Sequence, residues 1–218
     1  MTQTDLGEAA LSKLKSSELV ALLGRLQADD PAIGDLDVDV VGRLVDPKKL
    51  KNEEFASLLS NLARLADAGA DVDLAKMDAT NFAKLIARAS DDQLKAATAD
   101  PALRTRVLDE LFRRMDAHFL PERARDGRVV MQFRVSGKGN GGKETDDYAV
   151  TIADRKCSVE KSLAPDAKTT ITLSPANLLK LATGNAGAKM MFVRGKVKVS
   201  GSIGFAAGFM KMFEVPSA

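Results

Sequence analysis

Apolar positions follow one rule in the first hundred residues and a mixture of two rules after them. In the first stretch they recur at helical spacing. Leu14-Lys15-Ser16-Ser17-Glu18-Leu19 precedes Leu22-Leu23, and Leu50-Lys51-Asn52-Glu53-Glu54-Phe55 precedes Leu58-Leu59. The two stretches align Leu14 with Leu50, Glu18 with Glu54 and Leu26 with Leu62. Leu36, Val41, Leu44, Val45 and then Met77, Phe82, Leu85, Ile86 repeat the pattern more loosely. Each leading apolar residue is followed by others five, eight and nine positions on, which share one face of a helix. The leading residue docks from just ahead of the helix, like a hydrophobic staple, and Ser90-Asp91-Asp92-Gln93 is a capping box before a further short helix. Residues 10–98 therefore read as four or five short helices joined by acidic turns, too irregularly spaced for a named solenoid. Such stripes either close a helical bundle or serve a partner-binding module, and the pattern leaves both open.

After residue 100 the period changes. Arg104 to Phe119 is an amphipathic helix with Val107, Leu111, Met115 and Phe119 on one stripe, ended by Pro121. Arg128 to Ser136 alternates, with Val129, Met131, Phe133 and Val135 on one face and Gln132, Arg134 and Ser136 on the other. Gly137-Lys138-Gly139-Asn140-Gly141-Gly142-Lys143 invites a phosphate-loop reading, but such a loop opens a helix, and Asp147 to Ala153 reads as a strand. A hairpin connection fits better. Tyr148, Val150 and Ile152 give the second strand its apolar face; Asp154-Arg155-Lys156 turns the chain into a third strand carrying Cys157 and Val159. Thr169 to Leu173 is a fourth. Ser174-Pro175 starts a helix that stops near Gly184. Ala188 to Val193 is a second apolar segment, Lys196 to Ser200 a fifth strand, and Ser202 to Phe213 a last helix. That helix carries two apolar stripes, one of Ile203, Ala206, Met210 and Phe213, the other of Phe205, Phe209 and Met212, with Lys211 its only charge. Two stripes need two apolar neighbours: a sheet, and either another piece of protein or a cavity. Met190, Met191, Met210 and Met212 suit a cavity of variable contents.

Composition sharpens the division. Seven of nine Phe and six of eight Met lie after residue 100. Residues 1–100 hold 12 Lys and Arg against 18 Asp and Glu, net −6; residues 101–218 hold 20 against 12, net +8. A boundary near Asp100-Pro101 gives domains at 1–99 and 100–218. A basic half suits an anionic membrane surface or acidic head groups. Nucleic acid is not expected as a partner, since there is no Lys/Arg run, no Trp and one Tyr. The single Cys157 and single His118 leave no disulfide, no Cys cluster and no motif for metal or nucleophilic chemistry, so neither a cofactor nor catalysis is expected. Cys157 reads as a small core residue. No apolar run approaches the ~20 residues of a membrane span. The polar start and the ending Pro216-Ser217-Ala218 carry no export or peroxisomal signal, so the expectation is a cytoplasmic protein.

The order helix, four strands, two short helices, strand, terminal helix resembles the sterol carrier protein type-two family. Thr170-Ile171-Thr172-Leu173-Ser174-Pro175 followed by Leu178-Leu179-Lys180-Leu181-Ala182-Thr183-Gly184-Asn185 is similar to that family's strand-to-helix segment. Met191-Phe192-Val193-Arg194-Gly195-Lys196-Val197-Lys198-Val199-Ser200-Gly201 is similar to its most recognisable stretch. The whole chain resembles bacterial, especially actinobacterial, stand-alone proteins with a helical region ahead of such a domain. The resemblance implies an α+β fold: a C-terminal five-stranded sheet covered by helices, after an all-α N-terminal region. It also implies a non-catalytic intracellular carrier holding a sterol, fatty acid, acyl-CoA or phospholipid in an apolar cavity. On that topology the expected wall is Phe133, Val135, Leu178, Leu181, Met190, Phe192, Val197, Ile203, Phe205, Phe209, Met210 and Phe213. Arg194 or Lys196 would fix a charged head group. The peroxisomal ending of eukaryotic carriers is missing, the N-terminal helices have no counterpart in them, and the fold also serves as an accessory domain of enzymes. The alternative is an interaction module that binds a protein partner through the N-terminal helices, with the C-terminal domain as scaffold.

Overall fold

A computed structural model describes residues 5–72, 74–124, 126–137 and 145–214. The chain falls into two compact units, one reaching to Arg106 and the other beginning at Val107.

Among the described residues the N-terminal unit holds the expected short helices, five within residues 10–98 and one that begins ahead of them: α1 (Glu8–Leu11), α2 (Ser16–Arg25), α3 (Val38–Leu44), α4 (Asn52–Asp67), α5 (Ala79–Arg88) and α6 (Asp91–Ala97). Short 3-10 turns at Pro31–Asp35, Pro47–Lys49 and Leu74–Lys76 lie between them. The repeat seen in the sequence is a structural one. In α2 the Lys15 N–H donates to the Glu18 carboxylate at 2.8 Å, and in α4 the Lys51 N–H donates to Glu54 at 2.7 Å. These are the same half of a capping box in both copies. The acidic turns are caps as well. Asp30, Asp37, Asp46 and Asp78 each accept a backbone N–H at the start of the next helix or 3-10 turn. Hence much of the negative charge of this half satisfies helix N-termini. Ser90 and Gln93 complete the expected box before α6.

Helices pack on their second neighbours: α2 on α4 and α4 on α6, α1 on α3 and α3 on α5. That is the stacking of a short solenoid. Polar side chains stitch the steps together. Arg64 in α4 donates to the carbonyls of Leu23 and Leu26 at the end of α2, at 3.1 and 2.9 Å. Asp39 in α3 accepts from Asn81 and from the Asp78 N–H ahead of α5. Gln93 in α6, buried, donates to the carbonyls of Pro47 and Leu50 at 2.7 and 2.8 Å. The staple residues Leu36, Leu50 and Met77 are buried, but Leu14 is 37% exposed. The first copy therefore lacks the staple that the alignment gave it.

In the second unit the expected element order holds. Helix α7 (Pro101–Ala117), which begins just before the division, leads to β1 (Val129–Ser136), β2 (Thr145–Ala153), β3 (Lys156–Glu160) and β4 (Thr169–Leu173). Then come α8 (Pro175–Ala182), α9 (Ala188–Val193), β5 (Val197–Gly201) and α10 (Ile203–Met210). Helix α7 starts earlier than its apolar stripe because Asp100 accepts from the Leu103 N–H at 2.8 Å, ahead of Pro101.

The five strands form one sheet in the order β3-β2-β1-β4-β5, antiparallel except for the parallel pair β1 and β4. Ser136 pairs with Thr145, so β1 and β2 form a hairpin; residues 138–144 of the glycine-rich stretch lie outside the described residues. The β2–β3 turn is Asp154-Arg155, both in the left-handed region (φ 50° and 57°), as a tight hairpin turn requires. Gly201 ends β5 at φ 97°, where a Cβ would stand 2.6 Å from the Lys168 carbonyl oxygen, so only glycine fits.

Candidate functional site

Strand register sorts the sheet into two faces. Met131, Phe133 and Val135 of β1 stand opposite Val150, Tyr148 and Asp146 of β2, and β4 sets Ile171 and Leu173 beside Phe133 and Val135. Val199 and Val197 of β5 continue the row. This apolar face carries the core. Phe112 of α7 stacks on Tyr148 with centroids 4.0 Å apart and meets Phe133 edge-on at 5.4 Å. The opposite face is polar, with Arg134, Thr170, Thr172 and Ser200 bordering an open depression of about 400 Å³. Gln132 shares that face yet is buried, because the segment at Ser162 to Ala164 folds over it. Its amide donates to the Ser162 carbonyl and accepts the Ala164 N–H at 2.7 Å.

Helix α10 packs on β4 and β5. It ends at Met210, short of the expected Phe213. The chain turns at Lys211-Met212, and Phe213 instead bridges to Phe119 as a β-pair. Two backbone bonds hold that closure: the Leu120 N–H donates to the Met212 carbonyl and the Glu214 N–H to the His118 carbonyl, each at 2.8 Å. The turn aligns four rings. Phe119 lies 5.7 Å from Phe213, Phe213 5.4 Å from Phe209, and Phe209 5.8 Å from Phe205. Phe209 is fully buried and Phe205 only partly so. Phe213 is buried and Phe119 half-buried, so the row has a buried middle and two half-buried ends. Phe119 was not among the expected wall residues; its place at the end of the α7 stripe was the available signal.

The expected wall residues divide. Phe133, Val135, Leu178, Leu181, Val197, Phe209 and Phe213 are buried, and Phe205 and Met210 half-buried. Met190, Phe192 and Ile203 face solvent at 53%, 42% and 55% exposure. Arg194 and Lys196 border a separate depression of about 260 Å³ with Lys180, Asn177, Asn185 and Met190. The amides and Lys180 there had no periodic signal, because loops and helix ends bring them together. Asn177 donates to the Lys196 carbonyl at 3.1 Å, tying α8 to the start of β5.

Two buried titratable groups of this unit are shifted by their surroundings. Burial, with Asp116 nearby, pushes the Cys157 thiol up to about 12, so it stays protonated at neutral pH. Glu110 is buried, which by itself would raise its pKa; hydrogen bonds from Arg113 and Arg114 outweigh that and hold it below the usual carboxylate value. Among the described residues no three His, Cys, Asp or Glu side chains converge as metal ligands, and no helix is long and apolar enough to cross a membrane.

A mixed five-stranded sheet with one helix-covered apolar face, closed by an apolar terminal helix, is the sterol-carrier architecture expected from the sequence. Residues 108–214 match the SCP-2 sterol transfer family, and this half of the chain is a domain of that family. A chicken (Gallus gallus) protein, sterol carrier protein 2, is 36% identical over 77 residues, 35% of this chain. The chain spans 14% of that relative's length. Among solved structures, palmitated SCP2L2 from Aedes aegypti aligns over 48% of this chain and 88% of its own, at 18% identity and a TM-score of 0.39. The stereoselective inverting sec-alkylsulfatase Pisa1 from Pseudomonas sp. aligns over 92% of this chain and 41% of its own, at 14% identity and a TM-score of 0.43.

Proposed function

We propose that the C-terminal domain is a non-catalytic lipid carrier: it holds the apolar body of a sterol, fatty acid, acyl-CoA or phospholipid between the sheet and the C-terminal helices. The observation that carries this reading is the row Phe119–Phe213–Phe209–Phe205, buried in its middle and half-buried at both ends, beside a terminal helix with apolar residues on both faces. An acyl chain laid along such a row gains about 0.8 kcal/mol for each methylene removed from water. Val135, Leu178, Leu181, Val197 and Met210 complete the proposed wall, and Arg194 or Lys196 meets the carboxylate or phosphate head.

Native mass spectrometry of the purified full chain, with solvent extraction of whatever it retains, tests the reading. The expected result is one lipid per chain, or stoichiometric uptake of an added fatty acid, acyl-CoA or sterol. A chain that comes off empty and takes up none of these would sink the carrier reading.

A further inference from the structure

Helix α9 is held by one residue. From Ala188 to Lys196 only Met191 is buried, while Met190, Phe192 and Val193 stand 53%, 42% and 72% exposed. Leu14, Leu163 and Ile203 are exposed singly elsewhere among the described residues, whereas here three large apolar side chains turn outward within six residues. The stretch of chain that carries α9 has charge of one sign. Between Asp166 and Glu214 the chain carries Lys168, Lys180, Lys189, Arg194, Lys196, Lys198 and Lys211 and no Asp or Glu at all. Three of those cations, Lys180, Arg194 and Lys196, border the depression that also contains Met190 and the amides of Asn177 and Asn185.

We propose that α9 is a docking element for an anionic bilayer: Met190, Phe192 and Val193 enter the interfacial layer, and a lipid phosphate settles among Lys180, Arg194 and Lys196. Apolar area and attraction to anionic lipid add in this kind of interfacial binding. With no acid in this stretch, none of its own residues sets like-charge repulsion against such a surface. The inference rests on the carrier reading for its purpose, because a carrier must meet a membrane to load and unload.

The chain has no tryptophan, so Val193→Trp makes a single reporter on this face. In the free full-length variant its emission should be that of a solvated indole. It should shift to the blue with vesicles of phosphatidylglycerol and phosphatidylcholine, be quenched by brominated acyl chains, and do neither with phosphatidylcholine alone or in 1 M salt, where the Debye length falls to ~3 Å. Arg194→Gln and Lys196→Gln should each weaken partitioning about fivefold. Emission already blue-shifted without vesicles would show that the chain itself or a second copy covers α9, and would overturn the proposal. So would an unchanged spectrum with anionic vesicles. Lipid retention by the same variant is read separately by native mass spectrometry. Docking without retained lipid would sink the carrier reading alone, and retained lipid without docking would sink this one.

Discussion

The two halves of this chain treat their apolar side chains differently. In the N-terminal unit Leu14 is the one large hydrophobic that stands exposed among the described residues, at 37%. Acidic residues cap its helices, and Arg64, Asn81 and Gln93 tie α4 to α2, α5 to α3, and α6 to the turn ahead of α4. In the C-terminal unit Leu163, Met190, Phe192, Val193 and Ile203 are exposed, and the apolar terminal helix carries a half-buried ring, Phe205, beside the buried Phe209. The first arrangement is what a finished scaffold looks like. The second leaves apolar surface unmatched by protein, which is where a ligand or a membrane gains free energy. Among the described residues the N-terminal helices expose only Leu14 of their large hydrophobics, which offers little to the alternative reading, a partner-binding module.

A pair of truncations separates the two units most clearly. Phe55→Ala in α4, a fully buried site, should cost about 3–5 kcal/mol in urea unfolding of the N-terminal unit. Phe209→Ala in α10 is equally buried, yet in the delipidated chain it should cost less, and lipid uptake should fall with it. Equal losses in the two units, with uptake intact, would make Phe209 part of a closed core.

Gln93→Ala removes two buried bonds to the carbonyls of Pro47 and Leu50 and should cost about 1–3 kcal/mol. A loss within error would mean the stack does not depend on its polar stitching. Asp78→Ala removes the cap of α5 and should cost about 1 kcal/mol.

Acid sharpens the same contrast. Glu110 and Asp78 both have pKa values lowered by folding: Glu110 against its burial, by Arg113 and Arg114, and Asp78 by the Thr80 N–H first. A lowered pKa means the contribution is complete above the ordinary values of 4.5 and 3.8 and is lost as pH falls through the folded-state values. Glu110→Gln should therefore flatten the acid limb of the C-terminal unit's stability curve, and Asp78→Asn that of the N-terminal unit, each followed by urea titration from pH 5 downward. The smallest stability effect belongs to α9. Phe192→Ser should stay within about 0.5 kcal/mol of the parent chain, because the side chain is exposed. A larger loss would show that the ring supports the fold.

Local rules made much of this legible. The caps at Ser90 and Ser174, the alternation of β1 and β4, and the Asp154-Arg155 turn depend on neighbours a few residues apart, so their residue types announced them. The five-stranded sheet and its element order followed from the sum of such signals and the family resemblance. Burial of single side chains was less legible. Leu14 and Ile203 stand in apolar stripes as well formed as their neighbours', yet each lies open because no element arrives over it. Gln132 reads as an outward residue and is buried because a segment thirty positions on folds across it.

The sequence by itself determined which segments are helices and strands and which face of each is apolar, since these rest on short-range sterics, hydrogen bonding and period. Only the tertiary structure decided where α10 stops, that Phe119 and Phe213 pair, that alternate helices stack, and that α9 keeps Met191 alone inside. Those are contacts between residues far apart in the chain, and no local pattern states which surfaces will meet and which will be left to the solvent.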